Sequence, residues 1–155
     1  MRIGIGNDIH RLVAGRALVL GGIELASPVG LLGHSDADVV IHALIDAMLG
    51  AAGLGDIGEH FPDTDPTYQG IRSTELLTKT VELIRTAGFT VNNIDIIIMA
   101  QEPKLASHKR AMRQRLAEMT GLDLTQVNIK AKTAEGLGPV GERQAIAAWA
   151  AVTLA

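Results

Sequence analysis

Apolar residues occupy alternate positions at the start of the chain, at Ile3, Ile5 and Ile9, while Gly4, Gly6, Asp8 and His10 fall between them. A period of two predicts a strand over residues 2–12, with Asp8 and His10 projecting together on the glycine face. Residues 17–25 read as a hairpin turning at Gly21-Gly22, a pair that accepts positive φ. Val39 to Ala52 is almost wholly apolar and predicts a buried helix, with Ser35 and Asp38 three apart before it in the manner of a capping box. Gly53 to Pro66 is rich in glycine, proline and aspartate and predicts a loop, of a length that compact domains reserve for function. From Ser73 to Ala87 a helical period turns Leu76, Leu77, Thr80, Val81 and Ile84 inward, and Gly88 stops it. Ile94 and the run Ile96 to Ala100 predict a strand covered on both faces. Residues 107–119 predict a basic helix ended at Thr120-Gly121, residues 127–131 another strand, and residues 141–154 a closing helix. No repeat, linker or low-complexity tract interrupts the order. The pattern predicts one α/β domain of the α+β type over residues 1–155, a mixed β-sheet covered by helices.

Composition narrows the function classes. A chain of 155 residues with 47% apolar content can bury a core without staples, and the absence of cysteine excludes disulfides and thiolate metal sites. No apolar run reaches membrane-spanning length, and the N-terminus lacks a secretory pattern, so the cytoplasm is the expected compartment. A net charge of -3 and 3% aromatic residues give neither general attraction to nucleic acid nor stacking platforms for bases.

Asp8, His10 and, from the apolar helix, His42 supply one carboxylate and two imidazoles, enough for a three-ligand metal site with an open position. Zinc suits such ligands, and so does the iron of non-haem oxygenases; spacing alone leaves both open. Asp38, His42 and Asp46 are spaced by four on one helix face. Asp46 is expected to accept a hydrogen bond from the second ring nitrogen of His42, and Asp38 to favour the helix N-terminus. His34 and Ser35 precede that helix, where unpaired N–H groups attract phosphate. After the strand at 127–131, Lys132 and Thr133 can touch phosphate oxygens and Glu135 can hold a hard cation such as Mg²⁺. The order of lysine and glycines is not that of a Walker loop. At the end of the other apolar strand, Pro103 breaks the ladder within Ala100 to Ala106, freeing backbone groups to read a base edge.

Gly6 to His10, Leu32 to Asp38, His42 with Asp46, Gly55 to Gly58, His60 to Asp65, Ala100 to Lys104 and Thr133 to Gly138 recur in one order and spacing across the chain. Together they resemble the 2-C-methyl-D-erythritol 2,4-cyclodiphosphate synthase family. The resemblance implies a homotrimer with active sites between subunits. It also implies conversion of 4-diphosphocytidyl-2-C-methyl-D-erythritol 2-phosphate to the cyclic diphosphate and CMP, in non-mevalonate isoprenoid precursor synthesis. Asp8, His10 and His42 would bind Zn²⁺, and Glu135 would help hold Mg²⁺ or Mn²⁺ on the diphosphate. Substrate would be contacted by Asp8, Ile9, His10, His34 and Ser35, with His34 and Thr133 as transition-state stabilisers. Asp56, Ile57 and Gly58, with Phe61, Pro62, Asp63, Thr64 and Asp65, would take the methylerythritol hydroxyls. Ala100, Gln101, Glu102, Pro103, Lys104, Leu105 and Ala106, with Lys132, Thr133, Ala134 and Glu135, would form the cytidine pocket.

The chain departs from the family pattern at Pro139 and Glu142. They stand where many members carry an aromatic residue and an arginine lining a central trimer cavity, so weak or absent prenyl diphosphate binding is expected. Three other readings compete. A non-haem iron oxygenase leaves the phosphate-suited segments unexplained, and a metal-binding structural trimer leaves the acidic loop without a role. A metal-dependent phosphohydrolase of a nucleotide-linked substrate differs from the cyclase only in giving a linear product.

Overall fold

Strand β1 (Arg2–Ala14) buries Gly4 and Gly6 and exposes Ile3, Ile5 and Ile9, the predicted alternation. Strands β2 (Leu18–Leu20) and β3 (Ile23–Leu25) form the hairpin, with Gly21 and Gly22 at φ 59° and 76°. Strand β4 (Val29–Leu31) leads to helix α1 (Val39–Ala52), and the single turn α2 (Ile57–His60) interrupts the acidic loop before α3 (Ser73–Thr86). Strand β5 (Val91–Met99), helix α4 (Lys109–Thr120) and strand β6 (Val127–Lys132) make a parallel crossover unit. One further turn, α5 (Gly138–Gly141), precedes strand β7 (Ala145–Leu154). This computed structural model describes residues 1–155, and no helix in it is long and apolar enough to cross a membrane.

The five-stranded sheet runs β4-β1-β7-β5-β6 and is mixed, antiparallel except between β5 and β6. Residues 145–154 are therefore its central strand and not the closing helix that their alanine content suggested. Ile146, Ala148, Ala150, Val152 and Leu154 are buried on one face, while Trp149 and Ala151 are exposed on the other. Alanine on both faces blurs the period of two, so helix propensity dominated the sequence pattern.

Small residues also explain how α1 is seated. Helix α1 packs on β1 and β7, and its Ala43, Ala47 and Ala51 meet the glycines of β1. A Cβ at Gly4 would fall 1.9 Å from the Ala47 carbonyl oxygen, and one at Gly6 would fall 2.1 Å from that of Ala43. Small residues on both elements bring the helix backbone down onto the strand, which carries His42 over Asp8 and His10. The helix starts at a cap provided by Asp38 and not by Ser35. Asp38 is fully buried and accepts from the Val40 and Ile41 N–H groups of α1 and from Gly21 and Gly22 of the hairpin. One carboxylate thus ties two elements together.

The long helices cover only one face of the sheet; on the other, Val140 of the turn α5 packs against Ala145 and Ala147. Beneath the long helices lies one core, with Leu44, Ile45 and Met48 of α1, Leu77 and Ile84 of α3, Met112 and Leu116 of α4, and Ile94, Ile96 and Ile98 of β5. Strand β5 was expected to be covered on both sides, yet its Ile97 faces outward and is only partly buried. On that uncovered face Ile3, Ile5, Ile9 and Trp149 are 67%, 74%, 54% and 39% exposed.

Candidate active site

Strand β1 and helix α1 bring Asp8, His10 and His42 together at one end of the α1 seat. Asp8 Oδ1 accepts from the Ile9 N–H at 2.8 Å, which turns Oδ2 toward the histidines. Oδ2 lies 2.9 Å from His10 Nε2 and 3.0 Å from His42 Nδ1, and the two ring nitrogens are 3.3 Å apart. Nδ1 of His10 is 2.8 Å from the Leu32 carbonyl, which can only accept, so the neutral ring carries its hydrogen there. Its Nε2 then points a lone pair at a carboxylate oxygen. Two acceptors at that distance require a cation between them, a proton or a metal ion, and His42 Nδ1 supplies a third donor atom. The residues present fit a divalent metal with an open position facing the cleft.

Without a metal, the same charges favour a proton at the site. Burial opposes ionisation of Asp8, but hydrogen bonds from His10 and His42 and their charges outweigh it, holding the carboxyl well below the usual carboxylate range. Burial likewise disfavours a charged His10, but the bond to Asp8, its charge and the Leu32 carbonyl raise that pKa above its ordinary value.

A cleft of about 400 Å³ opens beside these three, lined also by His34, Ser35, Asp46, Ile57, Gly58 and Phe61 to Thr64. His34 Nε2 is buried without a hydrogen-bond partner. Ser35 Oγ accepts from the Ala37 N–H at 3.0 Å and lies 3.2 Å from His42 Nε2. The N–H groups of Val40 and Ile41 in the first turn of α1 are already taken by Asp38, so phosphate binding at 34–35 rests on these side chains and not on the helix end. Asp46 does not meet His42 as expected. It accepts from the Ile57 N–H at 2.8 Å and fastens α2 to α1, while His42 Nε2 turns away to Ser73 Oγ at 2.9 Å. Burial raises the Asp46 pKa, and the nearby charges of Asp56 and Asp8 add to the effect.

The loop beyond is braced locally. Asp56 caps α2 by accepting from Glu59 N–H, Asp65 accepts from Thr67 N–H, and Phe61 packs edge-on against Tyr68 with centroids 5.5 Å apart. Asp63 and Thr64 are exposed at the cleft rim. The Ile9 side chain lies on the opposite face of β1, so its part at the site is played by its backbone.

The remaining predicted residues gather elsewhere. Ala100, Pro103 to Ala106 and Lys132 and Thr133 line a separate cleft of about 180 Å³ at the ends of β5 and β6, joined by Lys109. Gln101 does not line this cleft; its Oε1 is buried without a partner, and Glu102 pairs with Arg143 at 3.2 Å. Beyond Ala134, Glu135 is exposed with φ 52° and accepts from the Thr133 hydroxyl. The two clefts share no residue, and β7 and β5 separate β1 from β6 by about 14 Å at the usual strand spacing. Sequence reasoning missed Ser73, Asp36 and the Leu32 carbonyl. A serine at a helix start and a backbone carbonyl carry no spacing signal.

The YgbB family matches residues 1–155. The 2-C-methyl-D-erythritol 2,4-cyclodiphosphate synthase of Desulforamulus reducens is 54% identical over 154 residues, covering 99% of this chain and 98% of that protein. That of Gloeobacter violaceus is 55% identical, covering 99% and 94%. Among solved structures, the bifunctional IspDF of Campylobacter jejuni superposes with a TM-score of 0.95 at 44% identity, over 99% of this chain and 42% of that one. A 2C-methyl-D-erythritol-2,4-cyclodiphosphate synthase solved in its CDP-bound form superposes with a TM-score of 0.92 at 41% identity, over 99% and 100%. By sequence and by fold over its whole length, this chain belongs to the YgbB family, that of the 2-C-methyl-D-erythritol 2,4-cyclodiphosphate synthases.

Proposed function

We propose that the chain converts 4-diphosphocytidyl-2-C-methyl-D-erythritol 2-phosphate to 2-C-methyl-D-erythritol 2,4-cyclodiphosphate and CMP. The convergence of Asp8, His10 and His42 at the head of a phosphate-suited cleft carries this reading. The attacking 2-phosphate is already an anion at neutral pH, so no side chain need act as base; the task is folding the substrate and neutralising charge. Asp8, His10 and His42 would hold a divalent ion, Zn²⁺ in our reading, which when bound would supply Lewis-acid polarisation of the β-phosphate. His34, with its unpartnered Nε2, and the Ser35 hydroxyl donate to phosphate oxygens. Asp56 to Gly58 and Phe61 to Asp65 hold the methylerythritol hydroxyls and exclude water, which favours the cyclic product over a linear one. Residues 100–106 and 132–135 take the cytidine, Glu135 would hold Mg²⁺ or Mn²⁺, and the Thr133 hydroxyl, which donates to Glu135 in the structure, would turn from it to a phosphate oxygen where charge develops.

One substrate must reach both clefts, yet within a chain they lie apart on the sheet. We therefore propose a homotrimer in which each active site joins the metal cleft of one subunit to the cytidine cleft of the next. The uncovered face with Ile3, Ile5, Ile9 and Trp149 supports such an interface. Mixing two inactive variants tests this. His42→Ala and Thr133→Ala chains, unfolded and reassembled together in equal amounts, give intact sites wherever the right neighbours meet. With random assembly into a closed ring, CMP release recovers to about a quarter of the wild-type rate. No recovery in trimers of confirmed mixed composition contradicts the shared site.

A further inference from the structure

His42 binds a metal only if its Nδ1 presents a lone pair, which requires the ring hydrogen of the neutral form to sit on Nε2. Ser73, the first residue of α3, is fully buried with its Oγ 2.9 Å from that Nε2. A hydroxyl can donate or accept, so the serine alone does not choose the tautomer. Asp36 decides it. The Ser73 hydroxyl donates to Asp36 Oδ1, and the Ser73 N–H donates to Oδ2 at 3.1 Å. A carboxylate only accepts, so the serine hydrogen is committed to Asp36 and its lone pairs face His42. The backbone holds the pair in register, through Gly70 N–H on the His34 carbonyl at 2.8 Å and Asp36 N–H on that of Ile71 at 3.1 Å.

We propose that Asp36 and Ser73 are positioning residues that fix the tautomer of His42, keeping its hydrogen on Nε2 and its Nδ1 lone pair on the metal. This rests on the metal reading of Asp8, His10 and His42 and deepens it. With the Ser73 hydrogen on Asp36, Ser35 Oγ, 3.4 Å from Ser73 Oγ, is the donor of that pair until a substrate phosphate takes its hydrogen.

Two variants separate this role from simple packing. Ser73→Ala removes the acceptor and leaves His42 Nε2 only the Ser35 oxygen at 3.2 Å. Asp36→Ala removes both acceptors of Ser73 and frees its hydroxyl hydrogen to turn toward His42, against metal binding; the Asp38 N–H, 3.3 Å from Asp36 Oδ1, loses its acceptor too. Zinc affinity is measured by competition with a chromophoric chelator, and the His42 imidazole N–H by nitrogen-proton NMR of the zinc-loaded protein. The expected result is a loss of about 10–100-fold in zinc affinity in both variants, the range for such supporting contacts, with the Nε2–H signal shifted and exchanging faster. Asp36→Ala carries the test if Ser73→Ala fails to fold. Unchanged affinity in folded variants overturns the proposal, as does lost affinity with a wild-type Nε2–H signal, which would mean a packing role. Wild-type protein that binds no zinc overturns the metal reading itself and this inference with it.

Discussion

Gly6→Ala tests how closely the metal ligands depend on the seat of α1. The added Cβ would lie 2.1 Å from the Ala43 carbonyl oxygen, 2.6 Å from the Ala47 nitrogen and 2.8 Å from the Asp46 Cβ. These are backbone atoms or lie beside backbone, so no rotamer change relieves them. Ordinary contact begins at 3.4 Å, so α1 must rise by about 1.3 Å at the turn that carries His42. Overpacking of this kind costs about 1–3 kcal/mol or more, which lowers the unfolding midpoint of a domain this size by about 2–4 °C per kcal/mol. A displacement near 1 Å at a positioned group also costs on the order of 100-fold in rate. Gly50→Ala is the control, because a Cβ there meets nothing within 4 Å; in the same helix it should stabilise by about 0.5–1 kcal/mol. Thermal unfolding and zinc affinity of both variants, with CMP release, read the outcome. A Gly6→Ala protein as stable and as tight for zinc as wild type would refute the close seating.

Further outcomes follow from other contacts. Asp38→Asn leaves one oxygen for four N–H donors and faces its amide toward that of Gly22, now bonded at 2.7 Å; urea unfolding should show a loss of about 1–3 kcal/mol. Ile5→Asp places a charge on the uncovered sheet face, where it is harmless to a monomer but not to an interface. Light scattering should show loss of the trimer, with CMP release abolished and zinc still bound. The pH response should invert on metal loading. The pKa of His10 is raised on folding, so in metal-free protein its contribution to stability is full below the unfolded value of 6.5 and is lost as pH rises through the higher folded value. Zinc needs that ring neutral, so its affinity falls by about tenfold per pH unit per displaced proton as pH drops below the folded value. Chelator competition from pH 5.5 to 8 checks the sign.

The grouping of Asp8, His10 and His42 as a trio suited to a metal was legible because β1 follows a strict period of two and α1 is too apolar to be anything but buried. Asp8 and His10 share a face by pairing geometry, and His42 is a polar residue on that buried helix. The partners of the ligands were not legible. Asp46 sits one turn from His42, yet loop packing at Ile57 decides which way it faces, and Ser73 reaches His42 only because α3 packs beside α1. Strand β7 was hidden for a related reason. Its Ala148 and Ala150 lie on the face that α1 packs against, and that packing is tertiary. The bare face of the sheet was invisible as well, since an isoleucine run reads alike whether a helix or another subunit covers it.

The most direct measurement is phosphorus NMR of the products formed when zinc-loaded protein and Mg²⁺ are given 4-diphosphocytidyl-2-C-methyl-D-erythritol 2-phosphate. The account predicts CMP and a cyclic diphosphate in equal amounts, with no reaction from His42→Ala. CMP accompanied by a linear phosphate product, or unchanged substrate with zinc bound, would contradict it.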